Sequence, residues 1–244
     1  THDFETLLLA TGSVPARPAA FPAGHPHLWD STAALALTEI PESLLVVGGG
    51  YIGLELGSVY AALGSRVVVV EMTGGLLPGA DRDLIVPLAK RLRGIFQDVQ
   101  LNTRVAGVAD DPAGLRVTLE NVKTGEAREE IFAKVLVAVG RRPCTDGLDL
   151  EKAGIVLTDR GFISVDETGR TANPRVFAAG DVAGNPMLAH KATHEARALV
   201  ARLAGRAAHA LAPVPAVVFT DPEIAWVGLT ETQAKEQGLE IKLS

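Results

Sequence analysis

Twelve consecutive residues, Leu44-Leu45-Val46-Val47-Gly48-Gly49-Gly50-Tyr51-Ile52-Gly53-Leu54-Glu55, constrain the fold more than any other stretch of this chain. A short apolar run bounded by glycines reads as a buried parallel strand, and Gly48, Gly50 and Gly53 stand at G-x-G-x-x-G spacing. The three glycines serve different ends. Gly48 permits the tight turn, Gly50 lets the backbone approach a pyrophosphate, and Gly53 lets the following helix pack close to the strand. That helix is expected over Ile52 to Leu63, where Ile52, Leu56, Val59 and Leu63 recur every three or four residues, with Gly64 as its stop. Its N-terminus would carry unsatisfied N–H groups and about half a positive charge, which suits a phosphate-bearing ligand.

The surrounding residues narrow that ligand. Val67 to Val70 form a second buried strand, and Glu71 ends it where a dinucleotide fingerprint requires an acid. A carboxylate there can accept hydrogen bonds from adenosine ribose hydroxyls, each worth about 1.5–3 kcal/mol. The same charge would repel an additional 2′-phosphate, and no Lys or Arg directly follows Glu71 to neutralise one. The expected ligand is therefore NAD rather than NADP.

The rest of the chain supplies partners for these two strands. A strand is expected over Thr6 to Ala10, a turn at Thr11-Gly12-Ser13, and a connector from Pro15 to Pro26. Asp30 or Ser31 would cap a short helix over Thr32 to Leu37, and Asp81 would cap another running to about Arg93. Val99 to Leu101 reads as a third strand of the sheet. From Leu115 to Val139 the period changes to two: Leu115, Val117 and Leu119 alternate with polar residues, Thr124-Gly125 turns, and Glu130 to Val139 returns. Further strands are expected at Gly161–Asp166, Val176–Ala179, Val214–Phe219 and Ile241–Ser244, and helices at His190–Ala204 and Thr230–Gln237. Three strands end alike, at Thr11-Gly12, Val139-Gly140 and Ala179-Gly180, and small residues at strand C-termini point to two nucleotide sites.

Charge and cysteine content exclude other classes. The net charge of −6 and the lack of any basic run argue against nucleic acid or an anionic membrane as partner. With 47% apolar and 21% charged residues the chain can build a core. No stretch of eighteen apolar residues lacks charge and the start carries no signal-peptide pattern, so a cytoplasmic protein is expected. Cys144 is the sole cysteine, which leaves no internal disulfide. The abrupt start near a strand, without Met, and the abrupt end suggest a segment of a longer chain.

Several blocks together carry a resemblance: LLLATGS over Leu7 to Ser13, VVGGGYIGLELG over Val46 to Gly57, VAVGRRP over Val137 to Pro143, FAAGDV over Phe177 to Val182, MLAHKA over Met187 to Ala192 and FTDPEIAWVGL over Phe219 to Leu229. In these the chain resembles the pyridine nucleotide-disulfide oxidoreductases, and within them it is most similar to the dihydrolipoamide dehydrogenases. The resemblance implies an α/β fold: a Rossmann-like NAD-binding domain with a parallel sheet plus an antiparallel β-meander, followed by part of an FAD-binding domain. The implied segments are 1–26 (end of an FAD segment and connector), 27–142 (NAD domain), 143–211 (central and FAD segment) and 212–244 (start of a dimer-interface domain). It also implies residue roles. Gly48, Gly49, Gly50, Tyr51, Ile52, Gly53, Leu54, Glu55, Glu71, Val105 and Gly140 would hold NAD, with Tyr51 as a gate for the nicotinamide and Glu55 beside the flavin and nicotinamide rings. Thr11, Gly12, Ser13, Asp181, Met187, Leu188, Ala189 and His190 would hold FAD, with Asp181 on the ribityl chain. The implied partners are a lipoyl-bearing acyltransferase of a 2-oxo acid dehydrogenase complex and a second copy of the chain, forming a homodimer.

The departures are equally specific. The family's first FAD fingerprint, its C-x-x-x-x-C redox pair and its H-x-H-P base motif are missing from this sequence, and Cys144 stands where the family usually has Asn. No catalytic residue is therefore assigned here, Glu55 being a supporting group only, and no metal site is assigned. Mercuric reductase, glutathione reductase, a soluble transhydrogenase and a non-catalytic NAD-binding module remain open as alternatives at this level.

Overall fold

The computed structural model describes residues 3–207 and 213–242. The chain divides into two compact units, Thr1–Val14 with Arg141–Ala216 and Pro15–Gly140 with Val217–Ser244. The boundary expected between residues 211 and 212 lies outside the described residues, as do the last two residues of the strand expected at Ile241–Ser244; Ile241 and Lys242 themselves are irregular.

The larger unit is built on a five-stranded sheet in the order Leu28–Trp29, Lys134–Val137, Ser43–Val47, Arg66–Glu71, Asp98–Leu101. Every neighbouring pair is parallel, and the register sets Val47 beside Val70 and Val137. The C-terminal ends of the three central strands therefore finish at one edge. Both faces are covered, which is why these strands read as continuous rather than alternating apolar runs. On one face Leu44, Val46, Val67, Val69 and Leu136 pack against Leu54 and Tyr60 of helix Tyr51–Ala62 and Leu88 and Leu92 of helix Arg82–Ile95. On the other, Leu45, Val47, Val68, Val70, Val135 and Val137 meet Leu115, Val117, Leu119 and Phe132.

Those last residues belong to an antiparallel meander of three strands, Thr103–Asp111, Gly114–Asn121 and Ala127–Phe132. The alternating pattern revealed only the second and third. The first is hidden because a bulge between Val105 and Gly107 shifts the register. Val105 and Val108, three residues apart, both pack on the same cluster, so the period of two is lost across them. The expected return over Glu130 to Val139 is also two elements: Ala127–Phe132 closes the meander and Lys134–Val137 enters the parallel sheet.

Helix ends show where local signals held and where they were redirected. Asp30 caps helix Ser31–Leu35 by accepting the Ala33 N–H at 3.0 Å. Thr230 and Gln233 form a reciprocal capping box on helix Glu231–Glu236. Asp81 occupies the N-cap position of Arg82–Ile95, yet its carboxylate does not cap that helix; it accepts the Glu231 N–H at 2.9 Å. Two further links tie the C-terminal segment into this unit: Arg91 pairs with Asp221 at 2.7 Å, and Val218, Ile224 and Trp226 join the apolar cluster of the helices.

Tyr60 anchors the helix layer. It is fully buried, donates to the Ala34 carbonyl at 2.7 Å and lies 5.6 Å from the Trp29 ring. Burial, and secondarily Glu39, pushes its phenol above the ordinary value. Tyr60→Phe is expected to lower stability by about 1 kcal/mol, the net worth of one hydrogen bond; the Ala34 carbonyl keeps the Leu37 N–H as a partner. Urea unfolding followed by tryptophan fluorescence checks this, and an unchanged midpoint would refute it.

The smaller unit pairs Leu7–Leu9 in parallel with Val176–Ala178, and Ser13–Pro15 with Arg141–Pro143. Its core gathers Leu150, Ile155, Ile163, Val176, Ala178 and Val182. The strand expected at Gly161–Asp166 is absent: a single bridge joins Leu157 and Ile163. The chain turns away because the Asp166 carboxylate accepts the Thr168 hydroxyl and the N–H groups of Thr168 and Arg170, which also holds its carboxyl below the usual range. Helix Ala189–Leu203 follows.

Candidate functional site

The turn after Val47 is shaped by three close approaches. Gly48 has φ +110°, and a Cβ there would lie 2.4 Å from the Ala138 carbonyl oxygen. A Cβ on Gly53 would lie 2.2 Å from the Gly48 oxygen and 3.0 Å from Val46, so the helix can sit this close to its strand only with glycine at that position. Gly49 is equally hemmed in, with Leu76 at 2.7 Å and Glu71 at 3.1 Å from a built Cβ. Gly50 is the contrast: a Cβ there would meet nothing within 4 Å. The open side of the turn is thus at Gly50, the N-cap of helix Tyr51–Ala62, which no side chain caps. An open glycine backbone ahead of an uncapped helix N-terminus fits a pyrophosphate.

Glu71 closes the other side. It is only 7% exposed, and its two carboxylate oxygens accept the Gly49 N–H at 2.7 Å and the Thr73 N–H at 2.8 Å. A carboxylate offers about four lone-pair sites, so two amide bonds leave acceptor capacity for ribose hydroxyls. This dual attachment was not visible in the sequence, which suggested the ribose role alone.

The other residues assigned to NAD lie in the same unit. Tyr51 and Ile52 open the helix and pack on the apolar cluster, Leu54 is fully buried beneath it, and Leu54 N–H closes the first turn on the Gly50 carbonyl at 3.0 Å. Glu55 accepts the Phe219 N–H at 2.8 Å. Val105 sits at the bulge, half-buried on the meander side. Gly140, with φ +112°, is exposed and accepts the Ala16 N–H at 3.0 Å.

The residues assigned to FAD lie in the smaller unit. The Ser13 hydroxyl donates to Asp181 at 2.6 Å, and Arg141 directs that hydroxyl by donating to its oxygen at 2.7 Å and to the Ser13 carbonyl at 2.7 Å. The Thr11 hydroxyl donates to the Cys144 carbonyl at 2.7 Å, while Gly12 accepts the Cys144 N–H at 2.9 Å. Met187 and Leu188 are half-buried ahead of helix Ala189–Leu203, whose N-terminus no side chain caps. Ala189 is exposed, and His190 bonds the Pro215 carbonyl at 2.6 Å. An acid on a glycine turn and a second uncapped helix start fit the ribityl and anionic ends of a flavin nucleotide.

Two groups behind these turns were missed. Lys191, 6% exposed, pairs with Glu195 at 2.9 Å and donates to the Gly180 and Gly184 carbonyls, while Glu195 accepts the Gly180 N–H at 2.8 Å. Their i,i+4 spacing was a readable signal of the ion pair, though not of its target. The other is Arg82, which no pattern marked.

Comparison with known proteins places the chain in a family. The family profile described as pyridine nucleotide-disulphide oxidoreductase matches residues 1–196, and that of the corresponding dimerisation domain matches residues 214–244. Dihydrolipoyl dehydrogenase of Vibrio parahaemolyticus is 43% identical over 99% of this chain, and that of Thermus scotoductus 44% identical over 100% of it. These matches take in 51% and 53% of the relatives' lengths, so the chain spans about half of each. Among solved structures, the HOCl-induced flavoprotein disulfide reductase RclA from Escherichia coli superposes with a TM-score of 0.86 at 32% identity, covering 98% of this chain and 54% of that one. LpdA from Mycobacterium tuberculosis gives 0.84 at 32% identity, covering 97% and 51%.

Proposed function

This chain belongs to the pyridine nucleotide-disulphide oxidoreductase family, and on that footing we propose that it is the middle portion of a dihydrolipoamide dehydrogenase. In this reading the Gly48–Gly53 turn and Glu71 hold NAD, and Thr11, Gly12, Ser13, Asp181 and Met187 to His190 hold part of FAD. When bound, the flavin supplies a two-electron acceptor and NAD the final hydride acceptor. The chain's own contribution is to bind and orient: the open Gly50 backbone and uncapped helix receive the pyrophosphate, and Glu71 receives the ribose and disfavours a 2′-phosphate. The Arg141–Ser13–Asp181 chain holds one carboxylate oxygen in place so that Asp181 is pre-set for a hydroxyl-bearing ligand. Orientation of this kind carries much of a hydride transfer, since reacting atoms must come within about 3–3.5 Å.

The observation that carries the NAD preference is the buried Glu71 carboxylate bonded into the glycine turn. The preference for dihydrolipoyl groups is supported by identities of 43% and 44% to dihydrolipoyl dehydrogenases against 32% to the flavoprotein disulfide reductase. A lipoyl-bearing acyltransferase and a second copy of the chain are the partners this reading entails, the latter supported by the dimerisation-domain match. Among the described residues no helix is long and apolar enough to cross a membrane. The test is to supply the full-length protein with dihydrolipoamide and NAD. NADH formation is expected, with NADP a poor substitute. Failure with dihydrolipoamide, together with turnover of a different disulfide, would transfer the protein to another branch of the family.

A further inference from the structure

We propose that Arg82 is a positioning residue for the dinucleotide turn, acting through the loop between Glu71 and helix Arg82–Ile95. This rests on the NAD reading of the Gly48–Gly53 turn. The Gly49 peptide is held from both ends. Its N–H is bonded to Glu71, and its carbonyl accepts the Leu77 N–H at 2.8 Å. Leu76 lies against the same residue, with its Cδ2 2.7 Å from where a Gly49 Cβ would be. The loop therefore forms the back wall of the turn, and its shape decides where the Gly49 peptide sits.

That shape is not one the loop would choose by itself. Leu77 has φ +47°, in the left-handed region that non-glycine residues seldom occupy. Leu76 and Leu77 are only 3% and 4% exposed, so the segment is drawn inward. The Arg82 guanidinium fixes it there: Nη1 donates to the Leu76 carbonyl at 2.9 Å, and Nη2 donates to Leu77 at 2.9 Å and Ala80 at 2.8 Å. A planar fork can satisfy three divergent carbonyls at once, whereas an ammonium on a flexible stem cannot reproduce that geometry. Gly75 makes room for it, since a Cβ at that position would fall 2.5 Å from Nη1. Arg82 thus holds the loop, the loop holds Gly49, and Gly49 borders the open backbone at Gly50.

The test uses the full-length holoenzyme and reads NADH affinity by fluorescence titration, which does not depend on the thiol substrate. Arg82→Ala is expected to raise the NADH dissociation constant about ten-fold through loss of preorganisation, and to raise KM for NAD with kcat within about two-fold. Arg82→Lys should recover part of the loss. Gly75→Ala should weaken NADH binding in the wild-type background and be silent with Arg82→Ala, where no guanidinium remains to be displaced. If Arg82→Ala yields too little soluble protein, Arg82→Lys and Gly75→Ala carry the comparison. NADH affinity within about two-fold of wild type for the arginine variants, or equal harm from Gly75→Ala in both backgrounds, would overturn the proposal. A wild-type enzyme that binds no NADH would instead sink the reading of the turn, and the proposal with it.

Discussion

Glu71→Ala is expected to weaken NAD binding by at least about 100-fold, a loss of about 2.8 kcal/mol or more. Two effects combine. The ribose hydroxyls lose charge-assisted acceptors worth about 1.5–3 kcal/mol each. In addition the Gly49 N–H, bonded to the carboxylate at 2.7 Å inside a site where Glu71 is 7% exposed, loses its partner and the turn its anchor. The second effect distinguishes this site from one where the acid touches only the ligand. Removing the charge should not by itself confer NADP binding, because the turn proposed to receive the pyrophosphate is loosened at the same time. Glu71→Gln, which keeps one oxygen to accept an amide, should fall between alanine and wild type. Calorimetric titration of NAD and NADP against the three proteins decides it. An alanine variant that binds NAD normally, or gains NADP affinity comparable to the NAD affinity lost, would contradict the dual role.

Lys191→Met is expected to destabilise the smaller unit by about 3–5 kcal/mol, the usual range for breaking one side of a buried ion pair. Lys191 is 6% exposed and its partner's side chain 21% exposed, so solvent screening is weak. The substitution leaves Glu195 without its cation and removes a donor from the Gly180 and Gly184 carbonyls. Since these bound the turn that carries Asp181, FAD retention should fall with stability. The double variant Lys191→Met, Glu195→Gln should recover part of the loss, because no unpaired charge remains; the two changes share one network and are not additive. Denaturant titrations with flavin stoichiometry measure both effects. A single-variant loss below about 1 kcal/mol would place the pair among ordinary surface ion pairs.

Legibility in the sequence followed the range of the interaction. The glycine turn was readable because two of its glycines answer to a neighbour a few residues away or to the adjacent strand: Gly53 must clear Gly48, and Gly48 must clear Ala138. The cap at Asp30 was readable for the same reason. Where a side chain serves a distant backbone, local spacing did not reveal the partner. Asp81 stands at a helix start and bonds Glu231, 150 residues on. Glu55, on the fingerprint helix, accepts the Phe219 N–H, 164 residues on. The strand Thr103–Asp111 was hidden by a bulge that only its partner's register reveals.

The order of strand, glycine turn, helix, strand and acid was set by the sequence alone, because steric exclusion at a backbone and the burial of valine act over a few residues and leave a pattern in them. Tertiary structure alone decided that Glu71 anchors the turn it flanks, that Arg82 braces the loop behind it, and that Lys191 and Glu195 clamp the Gly180 turn. Each is a polar side chain satisfying a main-chain group brought near by folding. A buried amide or carbonyl takes whichever partner the packed chain delivers, and one-dimensional spacing carries no record of that delivery.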